Sequence, residues 1–212
     1  MKYSAIVEKL YFNDKKYVTR TELIEYCKSL QLNYRDAISY LIHNRYVKTI
    51  LKGVFYTLSA DERKHKSIDT TYLELIKNAL ELKGIKNWYF GLESAFKFNN
   101  ITHEYFSIDY IINDKIFGKE PIEINGRKIK FVKIKPDLFG FGIIKNNLIY
   151  SDLEKTILDK IYLLSYAGNN YNEIRDNIVE YMENADSKKL LKYSKAYPKT
   201  VKKIMGGLLN DK

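Results

Sequence analysis

Three histidines (His43, His65 and His103), one cysteine (Cys27) and scattered carboxylate–lysine pairs are the residues from which this chain could build chemistry. A magnesium-dependent nuclease needs an acid and an acid-x-lysine on neighbouring strands, to hold the metal beside the phosphate. Acid-x-lysine occurs at Asp14-Lys16, Glu62-Lys64 and Asp186-Lys188, but the polar surroundings place all three in turns, a linker or a helix start. The histidines and the cysteine lack zinc-ligand spacing. There is no GxSxG elbow and no Walker loop. Gly140-Phe141-Gly142 lacks the third glycine and the helix of a dinucleotide fingerprint. The densest stretch is SDLEKTILDKIY, residues 151–162, with three carboxylates in twelve positions. Ser151 and Glu154 have the spacing of a capping box, and Asp152 suits the positive end of a helix dipole. Lys155 and Asp159 are four apart on the face opposite the apolar stripe Leu153, Ile157, Leu158, Ile161 and Leu164, where they can pair for a few tenths of a kcal/mol. Each polar residue thus has a task at a helix start. The chain is expected not to be an enzyme and to carry neither cofactor nor metal.

The elements that would position any binding site come next. At 212 residues and 25.0 kDa the chain suits one large domain or two small ones. It can bury roughly 70% of its unfolded surface and needs no disulfide to fold. A lone cysteine, no N-terminal signal pattern and no apolar run near the ~18 residues of a membrane span lead to the expectation of a cytoplasmic protein. Net charge is +10, unevenly spread. Residues 1–65 hold 12 Lys+Arg against 7 Asp+Glu, residues 66–185 hold 16 against 17, and residues 186–212 hold 8 against 2. Positive charge concentrated at the two ends suggests a polyanion partner.

In the amino-terminal third, Tyr3, Ile6, Val7, Leu10 and Tyr11 recur at helical spacing. Thr19 and Glu22 form a capping box for a second helix whose buried stripe is Leu23, Ile24, Cys27 and Leu30. Asn33 caps a third helix, in which Ala37, Ile38, Leu41 and Ile42 face inward while Asp36, Ser39, Tyr40 and His43 face out and Arg35 lies on the flank. The segment VKTILKGVFYTL then reads as two strands joined at Lys52-Gly53. Three helices followed by a hairpin is the order of a winged helix-turn-helix, with the third helix in a major groove and the hairpin beside the backbone. The candidate DNA contacts are Arg20, Tyr34, Arg35, Ser39, Tyr40, His43, Lys48 and Lys52.

ADERKHKS is polar throughout and reads as a linker. The expected division is a winged helix-turn-helix over residues 1–59, a linker over 60–68 and a second domain over 69–212. In that domain Asn125-Gly126 marks a type I′ hairpin, and a strand pair is expected around Asn146-Asn147. Helices are expected at 151–165, 171–184, 187–196 and 199–209. The fold class is α+β, a winged helix-turn-helix followed by a mixed domain with a small antiparallel sheet and a C-terminal helical bundle. Lys188, Lys189, Lys192, Lys195, Lys199, Lys202 and Lys203 fall on two consecutive helices and make a candidate second basic surface.

The segments AISYLIHNRYVKTILKGVFY, WYFGLESAFKFNNIT and SDLEKTILDKIYLL, in that order, resemble the AbiEi antitoxins of the AbiE abortive-infection toxin–antitoxin systems. Ser151, Asp152, Glu154, Thr156 and Asp159 match the last family motif, while Leu153 stands for its proline and Lys155 for its arginine. The resemblance implies a phage-defence antitoxin and transcriptional autorepressor. Its winged helix would bind inverted repeats in its own promoter, as a monomer or weak dimer that pairs on the double-stranded DNA. Its carboxy-terminal domain would counteract a nucleotidyltransferase toxin without forming a stable complex. A stand-alone regulator and a protein-interaction adaptor are the alternatives.

Overall fold

The computed structural model describes residues 3–102 and 104–210, so His103 lies outside the described residues. Among them are eleven α-helices, one 3-10 turn and nine strands in two sheets, an α+β fold. The chain divides into two compact units, one of residues up to Lys86 together with 124–126, the other of the remaining residues from Asn87 onward.

The first unit runs α1 (Ser4–Phe12), β1 (Tyr17–Thr19), α2 (Arg20–Ser29), α3 (Tyr34–His43), β2 (Val47–Leu51), β3 (Val54–Thr57), α4 (Ala60–His65) and α5 (Tyr72–Leu82). Its strands form an antiparallel sheet in the order β1-β3-β2. The start of α2 is fixed by a reciprocal capping box. The Glu22 amide donates to the Thr19 hydroxyl, and the Thr19 amide donates to the Glu22 carboxylate at 2.8 Å. Asn33 Oδ1 accepts from the amides of Arg35 and Asp36 and so starts α3. Ile6, Leu10, Leu23, Cys27, Ala37 and Leu41 bury one stripe of each helix against Val18, Val47 and Phe55 of the sheet.

Residues 60–68, expected as a linker, hold α4. Ser59 and Glu62 form a second capping box, and Glu62 turns inward to 4% exposure. Its carboxylate accepts from the Tyr56 hydroxyl at 2.8 Å and from the amides of Ser59 and Asp69. One buried, fully bonded carboxylate thus ties a polar segment to the sheet. The compact unit continues through α5 to Lys86 instead of ending at residue 59.

From Asn87 onward the chain runs β4 (Trp88–Phe90), α6 (Leu92–Phe98), β5 (Ile108–Asn113), β6 (Ile122–Ile124), β7 (Arg127–Lys133), the 3-10 turn Pro136–Phe139, β8 (Ile143–Lys145) and β9 (Ile149–Ser151). Then come α7 (Leu153–Tyr166), α8 (Tyr171–Asp176), α9 (Val179–Met182), α10 (Ser187–Ser194) and α11 (Lys199–Asn210). The sheet order is β6-β7-β5-β4-β9-β8. It is six-stranded and mixed, a correction to the small antiparallel sheet. Asn125 (φ 47°) and Gly126 (φ 78°) make the tight turn between β6 and β7, yet the hairpin joins the sheet through β7, which runs parallel to β5. β9 likewise runs parallel to β4. Alternating apolar residues fix which face is buried and are silent on strand direction. The helix expected over 171–184 is two, because the Asn177 amide side chain bonds the Glu173 carbonyl where α8 ends.

Candidate functional site

The outward face of α3 carries Arg35, Asp36, Ser39 and His43, all exposed. Tyr40 is not among them. Its ring stacks on Tyr3 at 4.8 Å and on Tyr46 at 6.0 Å between centroids, and it packs against the core of the unit. The buried stripe of α3 is therefore centred on Ala37 and Leu41, with Tyr34 and Ile38 beside it, and Ile42 is left 44% exposed. The expected stripe and the observed one share Ala37, Ile38 and Leu41 and differ in that Tyr34 stands where Ile42 was expected, with Tyr40 half-buried on the flank.

Beside the start of α3 lies a groove of about 790 Å³, lined by Arg20, Tyr34, Arg35, Lys52 and Lys83, with Gly53 and Thr19 among the uncharged residues. Four of the expected contacts, Arg20, Tyr34, Arg35 and Lys52, thus come together, while Ser39, His43 and Lys48 are exposed outside the groove. The β2–β3 turn requires Gly53, whose φ is +79°. The Arg20 amide donates to the Gly53 carbonyl at 2.9 Å, pinning the start of α2 to that turn. The Arg20 guanidinium lies over the Tyr34 ring, 5.5 Å from its centroid, which orients both side chains. Burial raises the Tyr34 hydroxyl pKa, with Arg20 opposing it. Among the described residues, no aspartate or glutamate lines the groove. Lys83, the C-cap residue of α5, was absent from the expected contacts. Nothing in the sequence sets it beside Gly53.

In the second unit, SDLEKTILDKIY is a helix start, as expected, but a buried one. Residues 151–159 are all buried. Asp152, not Ser151, is the N-cap, accepting from the Lys155 amide at 2.9 Å. Ser151 bonds the Thr156 hydroxyl at 2.7 Å. Glu154 accepts from the Asp186 amide, and with Asp152 it holds Lys189, whose Nζ lies 2.7 Å from Glu154 and 3.0 Å from Asp152. Burial alone would depress the Lys189 pKa, but the two carboxylates outweigh it and hold it above the ordinary lysine range.

Lys155 and Asp159, expected to pair on the face opposite the apolar stripe, do pair, 3.2 Å apart, but wholly buried. The Tyr89 and Tyr197 hydroxyls each donate to Asp159 at 2.6 Å. The Lys155 ammonium also lies within 5.0 Å of the Tyr89 and Phe141 ring centroids. Burial, reinforced by the Asp159 charge, pushes both phenols well above their usual pKa. Because α7 packs against α6, α8, α9, α10, α11 and β9, it has no solvated face for most of its length. The cluster is closed, every charge in it is met, and it opens to no cavity among those described.

The chain resembles, in structure, the RV2827C protein from Mycobacterium tuberculosis, known from a crystal structure. The likeness has a TM-score of 0.55 at 11% identity and covers 99% of this chain and 76% of that one. It is a likeness of fold. No family model and no curated protein matches the sequence.

The remaining expected residues can also be placed. Lys188, Lys192, Lys195, Lys199, Lys202 and Lys203 are exposed along α10, α11 and the bend between them, whereas Lys189 is half-buried in its two ion pairs and does not belong to a free basic surface. Asp14-Lys16 lies between α1 and β1, Glu62-Lys64 lies within α4, and Asp186 caps α10 through its carboxylate. No group of three or more His, Cys, Asp or Glu among the described residues is arranged to hold a metal ion. No described helix is long and apolar enough to cross a membrane.

Proposed function

We propose that the unit ending at Lys86 is a winged helix-turn-helix and that the chain regulates transcription by binding double-stranded DNA. The observation that carries this is the groove in which Arg20, Arg35, Lys52 and Lys83 converge without a carboxylate, next to the exposed face of α3. In such an arrangement α3 enters the major groove with Arg35, Ser39 and His43 toward base edges, while the β2–β3 turn lies along the phosphates. Asp36, exposed beside Arg35, accepts from a cytosine amine or tethers that guanidinium. The order α1-β1-α2-α3-β2-β3 supports the same reading.

The antitoxin part of the proposal rests on the resemblance of the three sequence segments to AbiEi proteins. On that reading the chain represses its own promoter and opposes a nucleotidyltransferase toxin encoded alongside it, without a stable complex. A gel shift with the duplex upstream of its own gene, in excess non-specific competitor, tests the DNA-binding part. A retarded band at low salt is expected, and its absence at micromolar protein overturns the reading. Co-expression with the adjacent gene product tests the other part. Growth rescue is expected, and an adjacent gene that encodes no nucleotidyltransferase removes the antitoxin role while leaving the regulator.

A further inference from the structure

We infer that Lys83, at the end of α5, is a DNA-backbone contact that closes a phosphate seat around Gly53. This rests on the DNA-binding reading and extends it to a helix that follows the hairpin in the chain. A Cβ placed on Gly53 would sit 3.9 Å from Lys83 Nζ and 3.4 Å from Arg20 Cβ. The ammonium therefore lies close to the bare face of the β2–β3 turn, which the root of Arg20 also approaches. Lys52 precedes that glycine, so three cations from three separate elements surround one small, side-chain-free patch of backbone.

Arg20, Lys52 and Lys83 are all exposed, and among the described residues none of them is in an ion pair. Like charges gathered in one groove repel, and among the described residues no carboxylate lines it to balance them. An anion entering from solvent would do so. A phosphodiester suits the place because it is a single negative charge with two free oxygens, able to accept from Lys83 and from a second cation of the groove. A helix C-terminus also favours a lysine through the dipole alone, and that simpler role makes a different prediction.

The test uses the full chain with Lys83→Ala and Lys83→Arg. Binding is measured from 50 to 200 mM salt on two duplexes of equal length, the promoter fragment and a scrambled version of it. Lys83→Ala is expected to weaken binding by the same factor on both duplexes and to reduce the slope of log affinity against log salt by about 1. Lys83→Arg is expected to keep the slope. An unchanged slope in Lys83→Ala overturns the phosphate seat and leaves a dipole-capping charge, with DNA binding intact. A loss confined to the promoter duplex overturns it in favour of base reading. Failure of the unsubstituted protein to bind either duplex overturns the DNA-binding reading itself.

Discussion

The Lys155 ammonium lies 3.2 Å from Asp159 Oδ1, and both side chains are wholly removed from solvent. Two tyrosine hydroxyls complete the carboxylate, and aromatic rings face the ammonium. Removing one partner leaves the other as an uncompensated buried charge. Lys155→Met is therefore expected to cost about 3–5 kcal/mol in urea denaturation. Asp159→Asn should cost less when combined with Lys155→Met than when made alone, because each substitution has already removed the other's partner. A cost under about 1 kcal/mol for Lys155→Met would mean that water reaches the pair.

Gly142 shows how closely this cluster is packed. Its φ is +63°, and an added Cβ would lie 2.7 Å from Lys155 Cβ and 2.9 Å from a Tyr193 ring carbon. Backbone strain and overpacking then act together, so Gly142→Ala should destabilise by about 2–4 kcal/mol. Gly140, two residues earlier, has ordinary φ and nothing within 4 Å of the corresponding position. Gly140→Ala is the matched control, expected within about 1 kcal/mol of the parent and on the stabilising side. Equal melting temperatures for the two variants would contradict the packing described.

Local rules made much of this fold legible from the sequence. Thr19-Glu22, Asn33 and Asn125-Gly126 each act through backbone groups a few residues away, and each forms as its spacing requires. What was not legible depends on partners distant in sequence. Lys155 and Asp159 look like a surface pair until Tyr89, Phe141 and Tyr197 arrive from other elements to cover them. Glu62 looks like part of a linker until Tyr56 donates to it. Tyr40 was misplaced for a smaller reason. Hydropathy places Ile42 in the stripe although it is 44% exposed, and helical periodicity alone does not show that Tyr3 and Tyr46 come to stack on Tyr40. For the groove, Arg20, Tyr34, Arg35 and Lys52 were identified and Lys83 was not, since only the packing of α5 brings it near Gly53.

Glu62 makes the stability of the first unit depend on pH. Burial would raise its pKa, but hydrogen bonds from the Ser59 and Asp69 amides and the Tyr56 hydroxyl outweigh burial and lower it below 4.5. A carboxylate whose folded pKa is depressed contributes stability above its unfolded value and loses that contribution as pH falls through the folded one. The parent should therefore lose stability as pH falls from about 5, and part of that loss should vanish in Glu62→Gln. Burial and the Glu62 hydrogen bond together leave Tyr56 with a pKa of about 12, so its hydroxyl remains a donor throughout that range. Denaturation midpoints at pH 3 to 6 for both proteins check this. Parallel curves would show that Glu62 is solvated.

Arg35 and Tyr40 separate contact from support on α3. Arg35 is exposed at the edge of the groove, whereas Tyr40 is held between Tyr3 and Tyr46. Under the DNA-binding proposal, Arg35→Ala should weaken promoter binding by about 1–3 kcal/mol and leave the denaturation midpoint unchanged. Tyr40→Ala should do the reverse. The midpoint falls as two aromatic contacts are lost, and affinity measured on the folded fraction stays near that of the parent. Salt provides the independent check, because a contact with about ten phosphates loses roughly 10⁵-fold in affinity between 50 and 200 mM. If Arg35→Ala binds as the parent does while Tyr40→Ala, fully folded, does not, the reading face of α3 runs through Tyr40, and the stacking of Tyr40 on Tyr3 must open when DNA is bound.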